Sequence, residues 1–130
     1  MDTNFGFGKP VGRSFDDAIA TVTDELAKEG FGVLTEIDVS ATIKKKLDED
    51  MPPYRILGAC NPALAHQAVT AVPEIGLLLP CNVLVREDDT GQVNVSFMDP
   101  GSVLSLVDHP GIEPLAAQVK EKLQRVMAAL

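Results

Sequence analysis

Residues 81–97, CNVLVREDDTGQVNVSF, decide how the chain is read. Cys81, Val83 and Val85 alternate with Asn82, Leu84 and Arg86, the two-residue period of a strand with one buried face. Asp88-Asp89-Thr90-Gly91 then supplies a hairpin turn, with glycine where a positive φ is wanted. Val93, Val95 and Phe97 form the return strand, and Asp99-Pro100-Gly101 ends it. Strands joined by so tight a turn run antiparallel, so a purely parallel α/β sheet is excluded.

Upstream of the hairpin, strands and helices take turns. Phe5 and Phe7 alternate with Gly6 and Gly8, which suggests a first strand over about residues 3–9, interrupted by Pro10 and Gly12. Ser14 stands three residues before Asp17, a weaker form of the capping box. Ile19, Val22 and Leu26 then mark an amphipathic helix that Gly30 closes. Phe31, Val33, Thr35 and Ile37 alternate as a second strand. Residues 39–47 read as a short helix carrying Lys44-Lys45-Lys46, a solvated face whose field Asp48, Glu49 and Asp50 cancel. Residues 54–60 alternate as a third strand, and Asn61-Pro62 is a strong helix start. Ala65, Ala68, Val69 and Val72 are expected to form the buried face of that helix.

Residues 74–80 are apolar and short, a helical turn or a buried extended stretch between which periodicity does not decide. Residues 103–107 suit a helical turn or loop. Residues 114–130 form a final helix with Leu115, Val119, Val126 and Leu130 on one stripe and Leu123 beside it. The expected fold is α+β: one two-layer domain over residues 1–130, a mixed sheet with helices packed on one face.

Composition bounds the function. The 130 residues are 45% hydrophobic and 23% charged, as a folded domain with its own core should be. Nineteen acids against 11 bases leave a net charge of −8, which repels a phosphate backbone, so nucleic-acid binding is not expected. No apolar run reaches the ~20 residues of a membrane span, and residues 1–10 lack the pattern of a signal peptide. Two cysteines do not make a secreted disulfide scaffold. A soluble, cytoplasmic protein is the expectation.

Two phrases in the middle of the chain carry a resemblance. One is Ile56-Leu57-Gly58-Ala59-Cys60-Asn61-Pro62, followed by Ala65 and Ala68; the other is Ile75-Gly76-Leu77-Leu78-Leu79-Pro80-Cys81-Asn82-Val83, followed by a strand ending at Asp99-Pro100. Together they resemble the "domain of unknown function 302" family of bacteria and archaea, over nearly the whole chain. The resemblance implies a small α+β domain related in fold to the TATA-binding-protein class. That relation is architectural and does not carry DNA binding with it. It implies no reaction, ligand or catalytic residue.

Cys60 and Cys81 are the residues with the most chemistry. Cys60 precedes a helix start, where free N–H groups and the helix dipole favour a thiolate. Cys81 heads the next strand. Each has an asparagine directly after it and a proline close by. The plainer reading makes both cysteines small buried hydrophobes and both asparagines caps or turn formers. Binding of a soft metal ion is left open by the spacing, since neither cysteine belongs to a C-x-x-C pair and His66 and His109 stand apart. No G-x-S-x-G, P-loop or dinucleotide fingerprint is present, and neither histidine is placed to partner a nucleophile. The cofactor, if any, is unknown.

Two functional classes follow: a non-enzymatic ligand-binding or protein-interaction module, and a thiol-based redox or soft-metal-handling protein acting through Cys60 and Cys81. Residues 73–79, if extended, would carry the chain back so that Gly58 to Pro62 and Leu79 to Asn82 share one end of the sheet. Cys60, Asn61, Pro80, Cys81, Asn82 and Asp99 are then the candidate ligand-binding residues, for a small molecule or an anion. A homodimer is also expected, from a sheet edge left free by the last strand pair.

Overall fold

The computed structural model describes residues 2–130. Strands β1 (Gly6–Val11), β2 (Gly32–Asp38), β3 (Tyr54–Cys60), β4 (Cys81–Glu87) and β5 (Val93–Met98) form one sheet in the order β1-β5-β4-β3-β2. Helices α1 (Phe15–Lys28), α2 (Val39–Leu47), α3 (Pro62–Ala71), α4 (Pro100–Val103) and α5 (Ile112–Ala128) complete the α+β fold. Every neighbouring strand pair is antiparallel, which corrects the expected mixed sheet. The reason lies in the connections. The chain leaving β3 through α3 comes back beside the strand it left, with Ala59 opposite Cys81, instead of crossing over to a parallel partner.

Alternation along the strands sets the core. Leu57, Val83, Val85, Val95 and Phe97 are essentially fully buried and join Val22 and Leu26 of α1 and Leu123 and Val126 of α5 in one cluster. The rings of Phe7 and Phe97 stack across β1 and β5 at 5.7 Å. Burying such side chains is worth about 1.5–3 kcal/mol each, and this drives the two layers together. No buried core residue of any strand comes from the opposite face of the sheet.

The local signals act as their chemistry requires. The Ser14 hydroxyl accepts the Asp17 N–H at 3.2 Å, and Gly30 takes φ +84° just past α1. Asp88 accepts hydrogen bonds from the Thr90 and Gln92 N–H groups, and Gly91 takes φ +84° in the hairpin. Three expectations are revised. Pro10 does not interrupt β1, because β1 is an edge strand and can lack one N–H. On α3 the buried residues are Leu64 and Ala68, while Val69 is 42% exposed. Strands β4 and β5 are both interior, β5 being covered by β1, so the last strand pair leaves no free edge. Among the described residues no helix is long and apolar enough to cross a membrane.

Candidate functional site

Residues between α3 and β4 close one end of the sheet. Pro73–Leu78 is a 3-10 helix, the helical-turn alternative and not the extended one. Its rise of about 2 Å per residue still carries the chain back by roughly 12 Å, which suffices because β4 lies directly beside β3. Ile75, at 1% exposure, is the buried residue of this segment, whereas Leu77 is 83% exposed. The Leu79–Pro80 peptide is cis. A Cβ on Gly58 would lie 2.9 Å from the Pro80 ring and 2.7 Å from the Thr35 methyl. Glycine at 58 is therefore what lets Pro80 and Thr35 close over β3.

Asn61 ties the other side together. Its side-chain oxygen accepts the Leu64 N–H at 3.3 Å and caps α3. Its amide nitrogen donates to the Glu29 carbonyl at 3.3 Å, which fixes the C-terminal end of α1.

Between these elements lies a cleft of about 360 Å³. Cys60, Asn61, Pro80 and Cys81 line it, together with Leu64 and Ala68 of α3 and Leu115 and Val119 of α5. Of the residues that line it only Thr35 and Asn61 have a polar side chain, and that of Thr35 lies on the Gly58 side of the sheet. The cleft is thus an apolar space with two thiols in its wall and Leu34, 68% exposed, beside its opening.

Four of the six candidate residues meet here and two do not. Asn82 follows Cys81 on β4 and points from the opposite face of the sheet, in a shallow groove with Phe5, Leu84 and Met98. Asp99 is at the same end of the sheet, but it caps α4 through the Gly101 and Ser102 N–H groups and pairs with Lys120 at 3.0 Å. The walls given by Leu64, Leu115 and Val119 are not singled out by sequence as site residues. Their spacing along a helix is the same for lining a cleft as for filling a core.

The electrostatics oppose a thiolate. Burial pushes the Cys60 thiol above its ordinary value. Burial, and then the charge of neighbouring Cys60, pushes Cys81 up to about 11. The favourable field of the α3 start is outweighed because Asn61 takes the Leu64 N–H and the lining offers almost no other donor. His66 is exposed on α3, and His109 Nδ1 accepts the Gly111 N–H at 2.9 Å in a loop; neither lines the cleft. Among the described residues no group of three or more His, Cys, Asp or Glu side chains is gathered as a metal site would require.

A crystal structure of an uncharacterized conserved DUF302 protein from Bacillus stearothermophilus superposes with a TM-score of 0.89 over 96% of this chain and 97% of that one, at 24% identity. This likeness shows the fold. No curated protein matches. The family model for the domain of unknown function DUF302 matches residues 7–130. With that match over nearly its whole length, the chain belongs to the DUF302 family.

Proposed function

We propose that the domain is a binding module whose cleft between β3, α3, β4 and α5 takes a small apolar molecule. The observation that supports this reading is the lining itself: a concave space of about 360 Å³ whose walls are almost entirely hydrocarbon and thiol. Such surfaces gain free energy when an apolar ligand replaces water. The Asn61 side chain lies in the wall, where the hydrogen-bonding capacity left after its bonds to Leu64 and Glu29 can orient a ligand carrying one polar end. Two free cysteines fit a reducing, cytoplasmic location.

A thiol-based reading draws on a separate observation. Cys60 and Cys81 both line the cleft, and the charge of Cys60 is felt by Cys81. The upward push on both thiols weighs against it, since nucleophilic attack and soft-metal binding use the thiolate.

The experiment is titration with an apolar fluorescent probe such as 1-aminoanthracene, on the native protein and on Ala65→Phe. Ala65 lines the cleft and is only half-buried, so a phenyl ring there occupies the space without emptying the core. Saturable binding that Ala65→Phe weakens at least about tenfold supports the reading. Equal binding by both proteins, or none by either, overturns it.

A further inference from the structure

We infer that the cleft takes an uncharged molecule of about a dozen non-hydrogen atoms and turns away carboxylates and amines of the same shape. This rests on the cleft being a binding site, as proposed above, and adds the chemical class of its guest. Size bounds that class first. A space of about 360 Å³ is near the lower end of the roughly 300–1,000 Å³ that small-molecule sites span. At about 30 Å³ for each heavy atom, a water molecule's share of its liquid, the space holds about a dozen. A guest of that size brings its polar end within the walls, whereas a longer chain would leave a charged head in water.

The walls offer no counter-ion of either sign. Among the described residues that line the cleft none is Asp, Glu, Lys, Arg or His. Two bases of α5 are engaged elsewhere: Lys120 pairs with Asp99 at 3.0 Å, and Arg125 with Glu29 at 2.8 Å and with Glu121 at 3.0 Å. A carboxylate entering the cleft would lose its water and gain no cation. An ammonium fares no better, because burial holds the thiols of Cys60 and Cys81 toward their neutral form. The net charge of −8 adds a repulsion that an anion meets before it arrives. A neutral polar group is treated differently. Asn61 has given one lone pair to the Leu64 N–H and one N–H to the Glu29 carbonyl, so one acceptor site and one N–H are left. That pair serves a hydroxyl, which both donates and accepts. It falls short of a carboxylate, which has about four lone-pair sites to satisfy.

The test is displacement of 1-aminoanthracene from the full chain, at neutral pH, by three compounds built on one ring system: 1-naphthalenemethanol, 1-naphthoate and 1-naphthalenemethylammonium. The alcohol is expected to displace the probe, and each ion to need a concentration at least about 30-fold higher. Ala65→Lys sets an ammonium in the wall, at a half-buried helical position that lysine suits. In that variant the carboxylate should gain on the alcohol by at least about tenfold. Three results overturn the inference and leave the binding reading in place: an ion that displaces the probe as well as the alcohol does, a bound probe that none of the compounds displaces, or a preference between carboxylate and alcohol that Ala65→Lys does not alter. A probe that does not bind the native protein overturns the binding reading and the inference with it.

Discussion

Replacing Cys81 with alanine tests whether the cleft is as dry as its lining implies. The thiol is 7% exposed, and burial raises it from the ordinary 9.0 to about 11. A group raised in the folded state contributes stability that is complete below its unfolded value and is lost as pH rises through its folded value. The window for Cys81 therefore runs from 9.0 to about 11. A shift of about two units corresponds to about 2.7 kcal/mol once both states are ionised, and about half of that, near 1.4 kcal/mol, is gone by about pH 10. Urea unfolding in the presence of a reductant would be followed from neutral to about pH 10 for the native protein and for Cys81→Ala. The native protein should be the more stable at neutral pH, because the variant leaves a small void. The gap should then narrow by about 1.4 kcal/mol as the thiol of the unfolded native chain ionises. Groups remote from Cys81 titrate alike in both proteins and cancel in the difference; Cys60, whose charge acts on Cys81, is replaced by alanine in both. A gap that stays constant across the range would mean that water reaches Cys81, and the desolvated cleft would have to be abandoned.

Two further substitutions probe the frame around the cleft. Gly58→Ala should cost about 1–3 kcal/mol in thermal or urea unfolding, because its Cβ lands 2.7 Å from the Thr35 methyl and 2.9 Å from the Pro80 ring; unchanged stability would show that Pro80 does not need the close approach. Asp99→Asn probes the cap on α4: burial pushes the carboxyl up, but hydrogen bonds from Lys120 and from the Gly101 and Ser102 N–H groups together hold it below 3.8. A lowered carboxyl contributes stability that is present above the unfolded value and is lost as pH falls through the folded one, so the native advantage of at most about 1 kcal/mol should vanish in acid, and an advantage that persists there would refute the ion pair as its source.

Element types were legible because each rested on a local signal. The hairpin at Asp88–Gly91, the Ser14 and Asn61 caps and the Gly30 stop are all short-range chemistry, and the structure uses each of them. Strand order was less legible. Whether α3 returns the chain beside β3 or carries it across the sheet depends on which strand pairs are formed, and no local residue encodes that choice. The same limit explains Pro10, whose place in β1 is allowed only because β1 is an edge. It also explains Pro73–Leu78, where an apolar run fits a 3-10 turn and an extended return equally well.

The candidate site divides along the same line. Cys60 and Cys81 were recognisable as a pair only through the family phrases that contain them, and their meeting follows from β3 and β4 being neighbours. Asn82 was grouped with Cys81 by adjacency, yet the two-residue period of a strand sends adjacent side chains to opposite faces. That rule was available in the sequence and places Asn82 outside the cleft.

The two phrases contribute architecture around the cleft more than reactive groups inside it. Gly58 makes room for Pro80, Asn61 caps α3 while holding the end of α1, and Pro80 closes over β3. The residues that then line the space are two cysteines held toward their neutral form and a wall of hydrocarbon. A site built for acid–base or nucleophilic work places a titratable group where its charged form is stabilised. Here the surroundings do the opposite, and the same desolvation that disfavours a thiolate favours an apolar guest. One physical cause thus ranks binding above thiol chemistry, and the pH dependence of Cys81→Ala and the probe titration of Ala65→Phe measure that cause from two independent sides.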